Sequence, residues 1–566
     1  MTSKRLKKYI VIALLLLLGL FMRLWNINFG LPHSWYADEP EIGEPAIKYT
    51  YELKSILRNN DIYKLVPENY VYGTFPVYFY TALTMIFSKT CGIIGVAFEK
   101  MDLYVFMRVI NALISFALIP AFYLLIKELG LTKRPFITVA GVFLVAFNWK
   151  FVVHAHYLNN DIMITLLILL SNLFFYQYLQ SRHASGKAED DTINTILFAL
   201  FFGLAVSTKI TVLLTFPVYL LVFLLNKDFR NLFASIFIVL GVFVVTNPFA
   251  WIFVGDFFAR LVKMQTKEAG MVLDSVNYSP FKYLTALSWM LTLPLLVLSL
   301  LGIALSLTTK NDKGDSAAFS SRVPDLAARS SSCCGVPPNI RQFYMVIALQ
   351  ILFYLVFFSV QGRRVDRWML PIIPNLMLFS LVALNYLCSI VKTHTFKLIG
   401  VVFLGGAILY YLHFPATLLN QFQRNTPKSA GYIWAKENLP PTSTKFGITE
   451  EGLDPLNKLP LSTIWQFNVY ESEGAQFVFP PNPLLYNYII VSSRPMSWTR
   501  KPEVVKKYPY YAAKWADFEK SLTDPNRFVL IKFFGLADPN LIPLSNVSIY
   551  QTVSRVPDVE TVLPGQ

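Results

Sequence analysis

Trp35-Tyr36-Ala37-Asp38-Glu39-Pro40 is a polar break that follows closely on the first apolar run of the chain. Behind it Ile42, Ala46, Tyr49, Leu53 and Ile56 recur at helical spacing with charges between them, the pattern of an amphipathic helix lying on a membrane surface. Asp38 falls at or just before its N-terminus, and Pro40 suits a first turn. The positive end of the helix dipole favours an ionised carboxylate there. Such a group at headgroup level can take a proton from an acceptor hydroxyl or amine. The competing reading is an ordinary helix cap with a solvated neighbour. Glu39 is adjacent, so the two carboxylates do not share a helix face. Asp38 is therefore assigned as base and Glu39 as a supporting or metal-binding partner.

A second cluster, His154-Ala155-His156-Tyr157-Leu158-Asn159-Asn160-Asp161, opens the fourth apolar run. Two readings stand for His154 and His156. With Asp161 and Asp38 or Glu39 they would ligate a divalent metal. Otherwise they are interfacial rings, and no recognised metal-ligand spacing is present. Asp161 either caps the next helix or belongs to a site, because a carboxylate at the end of a span is costly unless used. Lys209 interrupts the apolar stretch Gly203–Thr208; it snorkels or meets an anion, for which a lipid phosphate is a fitting partner. Arg363, Arg364 and Arg367 cluster in a short loop, where they either anchor at headgroups or grip phosphate with their planar forks.

The elements that must position these residues are membrane spans. Over the 566 residues 54% are apolar and only 15% charged, against about 25% charged in an ordinary soluble domain. The mean hydropathy is +0.47. The net charge of +15 does not point to nucleic acid, since the basic residues sit in short clusters between apolar runs. The four cysteines (Cys91, Cys333, Cys334, Cys388) form no disulfide framework. Lys4-Arg5 and Lys7-Lys8 precede an apolar run from Tyr9 to Ile27, broken by Arg23 alone, which reads as an uncleaved signal anchor.

Apolar length places spans near 9–27, 104–126, 136–153, 161–180, 193–208, 210–226, 231–250, 283–307, 343–360, 369–391 and 397–415. Lys and Arg then collect in alternate loops, which predicts about eleven spans, an inside N-terminus and an outside C-terminus. Pro76–Phe87 is apolar but short and is expected to be a re-entrant or surface helix within a long first outer loop, 28–103. Residues 310–342 read as a cytoplasmic linker. From about 416 a small extracytoplasmic α/β domain is expected, with a helix at Ala430–Asn438, buried strands at Tyr488–Ser492 and Phe528–Phe534, and an amphipathic helix at Ala512–Leu522. The expected organisation is thus a transmembrane domain over 1–415 and an outer domain over 416–566.

In their order and spacing these motifs resemble glycosyltransferase family 39 of the GT-C superfamily, which includes protein O-mannosyltransferases and lipid A aminoarabinose transferases. The resemblance rests on Tyr36–Pro40, Tyr72-Gly73-Thr74-Phe75-Pro76, Arg108, the His154–Asp161 segment, Gly203–Lys209 and Arg367-Trp368-Met369-Leu370-Pro371. It implies a GT-C type polytopic helical protein in the cell membrane. It further implies inverting transfer of a sugar from a polyprenyl monophosphate to a protein, lipid or glycan acceptor at the outer face. By that similarity Asp38 is the catalytic carboxylate, Asp161 the second acid, and Lys209 and Arg367 bind the carrier phosphate. The aminoarabinose transferases carry a Lys-Pro-Pro type run where this chain has Thr74-Phe75-Pro76, which argues against lipid A as acceptor. The rival readings are a transporter or flippase of a lipid-linked anion, for which an internal repeat is missing, and a non-catalytic assembly protein, which leaves Asp38, Asp161 and the arginine cluster without a purpose.

Overall fold

The computed structural model describes residues 3–32, 36, 38–68, 70–184, 188–263, 281–308, 338–361, 365–390, 409, 411–423, 425–450, 455–467, 482–500, 502–536 and 544–553. The chain is mostly helical and is an integral membrane protein. Seven described helices are long and apolar enough to cross a bilayer, or up to nine if each of two bent pairs is one span. The chain opens with α1 (Ser3–Leu24), basic at its start and apolar beyond. The amphipathic α2 (Glu39–Arg58) buries Ile42, Ala46, Tyr49 and Ile56, as the spacing predicts. Next comes α3 (Phe75–Ile94), which corrects the expectation of a short helix at Pro76–Phe87. It runs 20 residues and is itself among the seven. The residues after Phe87 are less apolar, which hid its extent; Gly95 ends it in the left-handed conformation.

α4 (Lys100–Glu128) is followed by a bent pair, α5 (Pro135–Ala146) and α6 (Trp149–Ala155), which meet at 43°. The break is held by side chains from elsewhere. Arg23, buried in the bundle, donates to the carbonyls of Val145 (3.0 Å) and Ala146 (2.8 Å) that α5 leaves open. Asn148 caps α6 by accepting from Phe151 N–H and donates to the Met290 carbonyl at 2.9 Å. Then come α7 (Asn160–Ala184), α8 (Ala188–Thr208), a 3₁₀ turn at Ile210–Thr215 leading into α9 (Phe216–Leu225), and α10 (Phe229–Thr246). Two short helices, α11 (Pro248–Ile252) and α12 (Val254–Lys263), follow.

A second bent pair, α13 (Lys282–Leu291) and α14 (Leu293–Thr308), turns through 109° at Thr292. After α15 (Pro338–Ser359) a 3₁₀ segment, Asp366–Ile372, runs into α16 (Ile373–Ile390). Helices α14 and α16 lie backbone against backbone: a Cβ on Gly302 would sit 1.9 Å from the Phe379 carbonyl oxygen, and Ser299 donates to the Leu376 carbonyl at 2.8 Å. The expected span at 397–415 lies mostly outside the described residues, as does nearly all of the 310–342 linker.

Beyond it stands a small sheet region. α17 (Pro427–Asn438) precedes five strands, β1 (Lys445–Glu450), β2 (Thr463–Phe467), β3 (Tyr488–Ser492), β4 (Phe528–Phe534) and β5 (Val547–Thr552), with α18 (Pro509–Leu522) between β3 and β4. The order is β2-β1-β3-β5-β4; β1 runs parallel to β2 and β3, and β5 antiparallel to β3 and β4. Alternation along β3 sends Ile489 and Val491 toward Trp515 and Phe518 of α18, and Ile490 toward Ala435 of α17. Strand β4 has the expected bounds, but only Phe528 of it is buried. It is the edge strand, and Val529, Leu530 and Phe533 are exposed.

Candidate active site

Helix α2 begins at Glu39, with Asp38 in the N-cap position. The Asp38 carboxylate caps nothing; it forms an ion pair with Nη2 of Arg367, which stands on the 3₁₀ segment leading into α16. The cap reading of Asp38 therefore does not describe its side chain. Glu39 points elsewhere. Its two oxygens take a two-pronged grip from Arg108 of α4, with Nε and Nη2 each at 2.6 Å and both side chains fully buried. Arg108 Nη1 also donates to the carbonyls of Ile27 (3.1 Å) and Phe29 (2.7 Å), and Leu158 N–H donates to Glu39 at 3.3 Å. A carboxylate so enclosed has no approach to a substrate. Glu39 ties the start of α2 to α4 and to the loop before α7, the arrangement of a supporting residue rather than of a group that meets substrate or metal.

Asp161 lies in the first turn of α7 and is 5% exposed. Its two oxygens face two cations: Lys209 Nζ at 3.1 Å from Oδ1, and Arg367 Nε at 3.5 Å from Oδ2. Asp38, Asp161, Lys209 and Arg367 thus meet from segments far apart in sequence, and their formal charges cancel. Asp38 is the most open of the four, at 39%, against 15% for Lys209 and 18% for Arg367.

The backbone explains how Lys209 is presented. It follows the last turn of α8 in an extended conformation (φ −157°, ψ 115°), so its side chain leaves the helix axis. Tyr72 accepts a hydrogen bond from Ile210 N–H at 3.2 Å. Gly73, at φ +135°, presses on the end of α8 so closely that a Cβ would lie 2.3 Å from the Ser207 carbonyl oxygen. Thr74 anchors the same turn to Asn247, whose Oδ1 accepts from Thr74 N–H at 2.7 Å. The Tyr72–Pro76 motif is therefore a backbone support for the lysine.

Aromatic rings close one side. Tyr36 Oη accepts from Arg367 Nη1 at 2.7 Å, and its ring stacks on Tyr157 with centroids 4.0 Å apart. Burial pushes the Tyr36 phenol above its ordinary range, the charge of Arg367 opposing, so it serves as a neutral partner. Lys209 Nζ lies 5.8 Å from the Trp368 ring centroid.

The histidines do not join this site as metal ligands. His156 Nδ1 lies 2.7 Å from the Val152 carbonyl and Nε2 2.9 Å from that of Trp25, and the ring stacks on Phe422. A neutral imidazole donates to one of these carbonyls, and the other carbonyl crowds its second nitrogen. His154 Nδ1 pairs with Tyr157 Oη at 2.5 Å. Among the described residues no three His, Cys, Asp or Glu side chains are placed to hold a metal ion. Arg363 and Arg364 lie outside the described residues. Tyr157 and the grip of Arg108 on Glu39 were not foreseen. The signal for Arg108 was present, a lone charge inside an apolar run, but its partner stands 69 residues earlier.

The resemblance to the GT-C superfamily holds. The family model described as dolichyl-phosphate-mannose-protein mannosyltransferase matches residues 13–258, which include Asp38, Asp161 and Lys209. The apo oligosaccharyltransferase of Archaeoglobus fulgidus aligns over 90% of this chain and 71% of its own, at 13% identity and a TM-score of 0.50, which shows a shared fold. Apo ArnT from Cupriavidus metallidurans aligns over 97% of this chain and 98% of its own, at 15% identity and a TM-score of 0.47. No curated protein matches the chain.

Proposed function

We propose that this chain is a membrane glycosyltransferase that moves a sugar, with inversion, from a polyprenyl-phosphate carrier to an acceptor at the outer face. The observation that carries the reading is the convergence of Asp38 and Asp161 with Lys209 and Arg367 at one place beside membrane-spanning helices. The match of residues 13–258 to a family named for a dolichyl-phosphate-mannose donor supports the donor class.

In the reaction, Asp38, the most accessible carboxylate, removes the proton from the acceptor hydroxyl or amine. The freed lone pair forms the bond to the anomeric carbon as the bond from that carbon to the phosphate oxygen breaks. The carrier phosphate leaves with the bonding electrons. Lys209 and Arg367 offset the charge that develops on it. Asp161 holds Lys209 and Arg367 in place before the donor arrives, so little reorganisation is needed when charge develops.

The test uses purified full-length protein with polyprenyl-phosphate sugars of several kinds. Asp38→Asn is expected to lower kcat by about 10²–10⁴-fold, the usual range for a positioned general base, with donor binding retained. Unchanged turnover in that variant removes Asp38 from the chemistry.

A further inference from the structure

Three of the segments that meet at the charged site meet a second time deeper in the bundle. Asn172 lies on α7 eleven residues after Asp161, Tyr219 on α9 ten residues after Lys209, and Asn375 on α16 eight residues after Arg367. All three are at most 2% exposed, as is Gln350 of α15, which joins them. Their side chains form a closed ring. Asn172 Nδ2 donates to Asn375 Oδ1 at 3.2 Å and to Gln350 Oε1 at 3.4 Å; Asn375 Nδ2 donates to Gln350 Oε1 at 3.2 Å. Gln350 Nε2 returns a bond to Asn172 Oδ1 at 3.2 Å, and that oxygen also accepts from Tyr219 Oη at 2.5 Å.

Polar side chains at this depth are costly unless their donors and acceptors are matched. Here each amide both gives and receives. A ring of this kind has one arrangement in which every member is matched, whereas an apolar contact tolerates sliding. Moving an α-helix by one residue shifts its side chains about 1.5 Å along the axis and turns them about 100°. Either change breaks the ring. The reacting groups above tolerate little such error, since about 1 Å of misplacement can cost roughly 10²-fold in rate.

We propose that Asn172, Tyr219, Gln350 and Asn375 are positioning residues: a polar layer that fixes the register of the segments carrying Asp161, Lys209 and Arg367. The catalytic part of this inference rests on the transferase reading above, and the register part does not. The ring touches no substrate. Its work is to keep three charged groups at one height when the donor enters and leaves.

Two readouts separate these parts. In full-length protein with Cys91, Cys333, Cys334 and Cys388 changed to Ser, spin labels at Leu224→Cys on α9 and Tyr386→Cys on α16 report the helix register with no donor present. Asn172→Leu and Asn375→Leu are expected to broaden or shift that distance distribution. Tyr219→Phe, which removes a single bond and keeps the ring's shape, is the milder variant for the case that the leucine variants fail to fold. In the transfer assay the leucine variants are expected to lose about 10–100-fold in kcat, with the donor KM changed less than threefold. The exchange of lengths, Asn172→Gln with Gln350→Asn, is expected to recover most of the loss that either single change causes. An unaltered label distribution in Tyr219→Phe and in both leucine variants overturns the positioning role. A broadened distribution, together with no transfer by the parent protein from any polyprenyl-phosphate sugar, supports the register role and sinks the transferase reading instead.

Discussion

Asp38 and Glu39 are neighbours in sequence, and each is paired with an arginine from a distant segment, yet the two pairs are built for different ends. The Glu39–Arg108 pair is fully enclosed, two-pronged, and completed by two backbone carbonyls and a backbone N–H. The Asp38–Arg367 pair is partly open, and its arginine is shared with Tyr36 and Asp161. Burial decides the difference. A fully buried carboxylate held by three donors is a fastener, whereas one left 39% exposed is free to exchange its partner for a substrate proton. The two acids part company as the helix geometry predicts, because a helix start points consecutive side chains in different directions.

Breaking the closed pair should have the largest effect on folding. Arg108→Leu strands an unpaired Glu39 carboxylate inside the bundle, an expected loss of about 3–5 kcal/mol, seen as a lowered melting temperature in detergent. Adding Glu39→Leu to that variant should restore most of the stability, since both buried charges are then gone. Opening the other pair should spare the fold and cost turnover instead. Arg367→Lys keeps the charge but cannot reach Asp38, Asp161 and Tyr36 together, and kcat is expected to fall about 10²-fold. Lys209→Ala removes a single charged contact to the donor and should raise its KM about tenfold or more. Tyr36→Phe deletes one hydrogen bond to Arg367 and should cost about 1 kcal/mol in kcat/KM. Equal losses of melting temperature in the Arg108 and Arg367 variants would erase the contrast between the two pairs.

How much of this was legible in the sequence depended on whether the signal was local. Asp38, Asp161, Lys209 and Arg367 stand out because a charge inside or beside an apolar run is costly wherever the chain goes. The amphipathic spacing of α2 and the bounds of β3 and β4 were legible for the same reason, since period and composition are written in a few neighbouring residues. What could not be read was partnership. Nothing near Glu39 announces Arg108, and nothing in Phe528–Phe534 says that its strand ends up at the edge of the sheet with apolar side chains outward. The two readings of His154 and His156 stayed open because one helical turn sets their near neighbours, Val152 and Tyr157, while Trp25 joins His156 only after folding. The bend between α5 and α6 likewise depends on Arg23, which the sequence shows only as an interruption of the first apolar run.

Gly73 meets the end of α8 through main chain alone. Neither partner has a side chain to trim in compensation, so a methyl group at this position can be accommodated only by displacing the strand of backbone that delivers Lys209. The turn before α3 is therefore a gauge of fixed thickness set against the backbone of a cation that comes much later in the chain. Variation in the turn's length or bulk at that point is felt at the charged centre before it is felt anywhere else.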